Sequence, residues 1–129
     1  MTKYVVEKDN IMPLCAIIDN KYFNYITGET VSEDVTVFIN QKLKHNTAYI
    51  KEFELCVYEI AEYPYKYSPF IHVRNIIGYI YQINGVSNFL DSDKRLLDGH
   101  VKQFIIDNIM KGKYEQELIW GDDIEWDKR

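Results

Sequence analysis

Ser68-Pro69-Phe70-Ile71-His72-Val73-Arg74-Asn75-Ile76-Ile77-Gly78-Tyr79-Ile80-Tyr81-Gln82-Ile83-Asn84-Gly85 is the stretch on which the fold class turns. Ser68 offers an N-cap oxygen, Pro69 has the fixed φ that a first helical position accepts, and Asn84-Gly85 can take the left-handed conformation that ends a helix. Phe70, Val73, Ile77 and Ile80 recur at helical spacing, while Ile71, Ile76, Tyr79 and Ile83 make much of the remaining circumference apolar. A helix that is apolar nearly all round is buried. The spacing predicts a central buried helix over 69–84, with Gly78 as the point where another element crosses closely.

Upstream, Lys3 to Glu7 is short and β-branched, which suits an edge strand or an ordered arm, and Asp9-Asn10 signals a turn. Residues 13–28 carry two readings. Leu14, Ile17, Ile18, Tyr22, Tyr25 and Ile26 follow helical spacing between Pro13 and Gly28, and these two ends favour a helix. The Ile, Tyr and Phe content instead suits a hairpin of residues 16–18 with 22–25 about Asp19-Asn20. Thr30 and Glu33 form a capping-box pattern ahead of Val31, Val35, Phe38, Ile39 and Leu43, which predicts a helix to Asn46. Thr47 then caps a second stripe of Ile50, Phe53, Val57, Ile60 and Ala61 before Pro64, with a strand over 53–58 as the rival reading.

Downstream, Val86 to Leu90 reads as a linker, and Asp91-Ser92-Asp93 as the start of a helix that buries Leu97, Val101, Phe104, Ile105 and Ile109 and stops at Gly112. The expected architecture is a mainly α, single compact domain of about five helices around the helix at 69–84, with an N-terminal strand or hairpin as an open option. If both rival strand readings hold, the class is α+β. Residues 1–113 then form the globular helical domain, and 114–129 an acidic, Trp-bearing segment docked on it.

A chain of 129 residues, 47% hydrophobic and 27% charged, has ordinary globular composition. Cys15 and Cys56 are too few for a disulfide framework and suit reduced thiols in a cytoplasmic protein. The opening residues lack a secretory pattern, and the apolar run near Ile76 is interrupted by His72, Arg74 and Gln82, so no membrane span is expected. Of the net charge of −5, residues 114–129 hold −4, with two basic and six acidic residues, and residues 1–113 hold −1. A nearly neutral body argues against nucleic-acid binding. The richness in Lys, Asn, Ile and Tyr suggests an AT-rich coding source such as a low-GC bacterium, phage or virus.

No zinc, phosphate-loop, dinucleotide or nucleophile-elbow motif occurs, and His45, His72 and His100 each stand without a second ligand at metal spacing, so no cofactor and no metal are expected. Asp93, Asp98 and His100 are the one acid/base grouping worth naming, and a solvated helix face explains them more simply. The basic residues Lys42, Lys44, His45 and Lys51 sit near a helix end, but Glu52, Glu54, Glu59 and Glu62 would repel phosphates from a helix-turn-helix there. Two features suit protein contacts instead. Tyr63, Tyr65 and Tyr67 form an aromatic loop. Trp120 and Trp126 bracket Asp122, Asp123 and Glu125, pairing anchor rings with charges that steer toward a basic surface. Both features could instead close the core. The expected function is a non-enzymatic protein-binding module, of an inhibitor or immunity type, that neutralises a basic partner protein; the rivals are a small enzyme using carboxylates with His100, and a nucleic-acid-binding protein.

Overall fold

The computed structural model describes residues 1–63 and 74–121. Of these, 49% lie in strands of two antiparallel sheets and 22% in helices, so the mainly α, helical expectation is overturned. Among the described residues there are two helices rather than about five. The chain divides into two compact units, one of residues 1–55 with Trp120 and Gly121, the other of residues 56–119.

The first unit runs β1 (Thr2–Glu7), β2 (Cys15–Ile18), β3 (Lys21–Asn24), β4 (Glu29–Thr30), α1 (Glu33–Lys44) and β5 (Ala48–Phe53). Its sheet has the order β4-β3-β2-β1-β5. The chain makes an antiparallel meander, crosses in α1, and returns as β5 to the free side of β1, where Val5 faces Ile50 and Glu7 faces Ala48. β1 is therefore interior, not the edge strand expected of it. Residues 16–24 take the hairpin reading, not the helical one. Asp19 and Asn20 both adopt positive φ, 52° and 62°, the geometry of a tight turn between Ile18 and Lys21.

Helix α1 begins two residues later than the Thr30 capping box implied. Thr30 is paired in β4, and the cap is Ser32, whose hydroxyl accepts the Val35 N–H at 3.3 Å. Asn46, at φ 56°, leads the chain out beyond its C-cap, His45. Of the expected stripe, Ile39 is fully buried and packs with Val5, Cys15 and Ala48, and Val31 and Leu43 flank that cluster. Val35 and Phe38 stay exposed.

The second unit runs β6 (Leu55–Glu62), β7 (Asn75–Ile83), β8 (Val86–Asp91), α2 (Gly99–Met110) and β9 (Tyr114–Gly121), with sheet order β8-β7-β6-β9. The element order resembles that of the first unit: successive strands, three here against four there, then a helix, then a strand that joins beside the first. This likeness leaves no trace as a sequence repeat.

The expected central helix is a strand where it is described. Residues 75–83 form β7, and Asn84-Gly85, with φ of 48° and 82°, turns the chain into β8 so that Ile83 faces Val86. The dipeptide suits a helix stop as well as this turn, because a C-cap and a hairpin turn both require left-handed backbone. Residues 64–73, including His72 and the expected helix start at 69, lie outside the described residues. Gly78 does meet a neighbour closely, though that neighbour is the backbone of the adjacent strand at Leu90.

Two further readings give way. The helix expected from Thr47 to before Pro64 is β5 followed by β6, with the rival strand reading of 53–58 falling mostly in β6, and the expected linker 86–90 is β8. Helix α2 starts at Gly99, capped by Asp98, whose carboxylate accepts the N–H groups of His100 and Val101 at 3.1 Å. Gly112, at φ 78°, follows its end. Ile105 is buried with Ile60, Ile80, Phe89 and Tyr114, and Leu97, Ile106 and Ile109 pack on that core, whereas Val101 and Phe104 are exposed.

Candidate functional site

Of the residues expected to bind a partner, Tyr63 and Trp120 are described; Tyr65, Tyr67, Asp122, Asp123, Glu125 and Trp126 lie outside the described residues. Trp120 is 1% exposed. Its indole N–H donates to the Tyr4 hydroxyl at 2.8 Å, and the rings of Tyr4, Phe23 and Tyr25 lie 6.0 to 6.5 Å from its own. Such edge-on and tilted arrangements are the preferred packing of buried aromatics. Trp120 is a core residue of the first unit and offers no surface to a partner.

Tyr63 has a different setting. It follows β6, and its hydroxyl donates to Glu117 Oε1 of β9 at 2.5 Å while accepting from Arg74 Nε at 2.7 Å. Arg74, just before β7, also reaches Glu117 Oε2 at 2.9 Å and forms an ion pair with Glu59 of β6. The planar guanidinium thus bridges two carboxylates and a phenol, the fork geometry for which Arg is suited. Partial burial opposes the Arg74 charge, but the bonds to Glu59 and Tyr63 outweigh it and hold its pKa above the ordinary value. The bond to the Glu117 carboxylate, more than desolvation, raises the Tyr63 phenol. One cation therefore serves two acids.

β9 itself carries the rest of this surface. It ends its sheet's order, and Gln116, Glu117 and Leu118 are exposed along it. The acidity assigned by sequence to 114–129 thus begins on an edge strand, with Glu115 and Glu117, and continues in sequence into Asp122, Asp123, Glu125 and Asp127.

The acid/base grouping does not come together. Asp93, Asp98 and His100 are all exposed, and Asp98 is committed to capping α2. Among the basic residues, Lys42 pairs with Glu7 at 3.6 Å and lies 4.8 Å from the Phe38 ring, and Lys51 lies 4.9 Å from the Tyr49 ring. Among the described residues no group of three His, Cys, Asp or Glu is placed to hold a metal, and no helix is long and apolar enough to cross a membrane.

An open cleft of about 690 Å³ lies in the first unit between Lys21, Thr30, Glu33 and Thr36. Across it the Tyr22 hydroxyl donates to Asn40 Oδ1 at 2.5 Å. Burial, with a smaller contribution from Cys15, raises the Tyr22 phenol, so it remains a donor. Cys15 is buried and free, and desolvation pushes its thiol up to about 11. A protonated, covered thiol is not a nucleophile.

No protein-family model, no curated protein and no solved structure matches this chain.

Proposed function

We propose that this chain is a non-enzymatic protein-binding module, of an inhibitor or immunity type, that docks on a basic partner protein through the acid-bearing edge of β9 and the acidic segment after it. The observation that supports this reading is β9: an edge strand with Glu117 and Leu118 exposed, leading directly into Asp122, Asp123, Glu125, Trp126 and Asp127. Leu118 supplies apolar contact, and the carboxylates steer a basic surface toward it. Arg74 neutralises only part of that charge. A cytoplasmic setting belongs to the same reading, since a chain with two cysteines, one of them buried, suits reduced thiols.

The test is a photoreactive phenylalanine analogue at Leu118, introduced into the full chain in its native cell, with Lys111 on the exposed end of α2 as the control position. The expected result is one adduct, from Leu118 alone, with a basic protein. It should weaken with salt and disappear in a chain ending at Gly121, which keeps every described element. An acidic adduct, or equal labelling from both positions, overturns the reading.

A further inference from the structure

The first unit treats the two edges of its sheet differently. At one end, β4 is two residues long and gives another strand little to pair with. At the other, β5 runs for six residues with neither Pro nor Gly, and no strand lies beyond it among the described residues. In the second unit, the outer side of β8 is occupied by residues 95–97. Leu97 N–H donates to Phe89 O at 2.9 Å and Asp91 N–H to Arg95 O at 2.8 Å, with a bridge between Leu90 and Leu96. Among the described residues β5 has no such cover.

Of the four exposed side chains along this edge, Tyr49 and Ile50 are apolar where solvent would favour polar ones, and Lys51 and Glu52 are charged. Pairing with β1 puts Ile50 on the same face as Val5, the face on which α1 packs. The roll of α1 is set by Asn40, held by Tyr22 of β3, and by Lys42, paired with Glu7 of β1. Asn40 and Phe38 are two residues apart and therefore on opposite flanks of the helix, so Phe38 turns toward the β5 side. Ile50 is 51% exposed and Phe38 52% exposed.

We propose that a second copy of this chain covers this edge, with its β5 paired antiparallel to the first about a two-fold axis at Ile50, so that two five-stranded sheets become one continuous sheet. Two identical edges meet antiparallel only about an axis normal to the sheet. That operation keeps both copies of α1 on one face, and each exposed Ile50 covers the other. Charge selects the register. An axis at Lys51 or at Glu52 would set each of these residues against itself, and like charges directly opposite are destabilising. An axis at Tyr49 would shift the pairing into the turn at Asn46 and leave Glu52 and Phe53 without strand partners. The axis at Ile50 keeps the whole of 48–52 paired, with Ala48 facing Glu52 and Tyr49 facing Lys51 of the second copy. A lysine against a tyrosine ring is a contact this strand already makes within one chain.

The test uses the full chain carrying Cys56→Ser, so that Cys15, which is buried, is the one native thiol left. Sedimentation equilibrium should show a concentration-dependent dimer. Adding Ile50→Cys should give a disulfide-linked dimer on mild oxidation, because directly paired residues of antiparallel strands lie within disulfide reach, with Cα atoms about 4.5 to 5.5 Å apart. Glu52→Cys, facing Ala48, should not link to itself. Ile50→Arg, at an exposed position that leaves the far-ultraviolet spectrum unchanged, should weaken dimerisation about a hundredfold. A chain monomeric at every concentration overturns the proposal. So does a dimer that survives Ile50→Arg, or one that links through Glu52→Cys or through neither position. A monomeric result leaves the β9 reading standing, since photo-adducts at Leu118 do not require the dimer.

Discussion

The Trp120 indole donates a hydrogen bond to the Tyr4 hydroxyl across 116 residues of sequence, and both side chains are almost fully buried. β1 and the end of β9 are thereby tied into one core. Trp120→Ala should cost about 3–5 kcal/mol, through lost burial and the cavity left behind. Tyr4→Phe should cost about 1–2 kcal/mol, because it leaves the indole N–H short of an acceptor in a dry site. Denaturant midpoints measure both. In a Trp126→Phe chain the remaining emission should be blue-shifted and shielded from iodide; red-shifted, quenchable emission would contradict this burial.

A second prediction concerns the pairing of β7 with β8. A Cβ added at Gly78 would run into the Leu90 carbonyl, which is backbone and cannot rotate away. Gly78→Ala should therefore destabilise by about 1–3 kcal/mol, as overpacked cores do, although alanine is ordinarily the milder residue. Gly85→Ala, at φ 82° with open space around it, should cost about 1 kcal/mol through backbone strain alone. Thermal unfolding of the two variants separates steric from conformational cost. A neutral Gly78→Ala would exclude the observed strand contact.

These two glycines also mark how far the sequence could be read. Residues suited to left-handed backbone were legible at Asp19-Asn20, Asn84-Gly85 and Gly112, which all adopt it, but not at Lys94, whose φ of 61° falls where a helix was expected to begin. The two helices were legible in place, though each begins later than its first polar cap residue suggested. Strand against helix was not, because short runs such as Ile76-Ile77-Gly78-Tyr79-Ile80 are apolar on both faces and satisfy a 3.6 period as readily as a period of two. Val35, Phe38, Val101 and Phe104 looked like core by spacing and are exposed. The cluster of Tyr63, Arg74, Glu59 and Glu117 joins residues up to 58 positions apart through sheet order, and nothing local announces it.

That cluster gives a third prediction. Glu117 is well exposed, so Glu117→Gln should change stability by no more than about 1 kcal/mol. Arg74→Ala should cost more, about 1–3 kcal/mol, because it leaves the more covered Glu59 carboxylate without its ion pair. Glu117→Gln should also lower the Tyr63 titration midpoint, since the bond to that carboxylate is the main cause of its elevation. Ultraviolet titration compared with a Tyr63→Phe chain reads this directly. An unmoved midpoint would mean that the hydrogen bond does not form.

The last prediction is a pH dependence carried by Cys15. Its thiol is raised from 9.0 to about 11 by burial, with backbone hydrogen bonds from Val5 and Phe23 opposing the shift. The folded state therefore holds a proton that the unfolded chain releases first, so the unfolded state binds fewer protons between these values. Stability should be fully present below pH 9 and fall as pH rises toward 11, by up to about 2 kcal/mol. Cys15→Ala should lower stability at neutral pH through lost packing yet flatten this alkaline slope. Below pH 9, iodoacetamide should modify Cys56 in the native chain and spare Cys15, which reacts only on unfolding. Native alkylation of Cys15 at neutral pH, or an alkaline slope unchanged by Cys15→Ala, would show that this thiol is neither covered nor responsible.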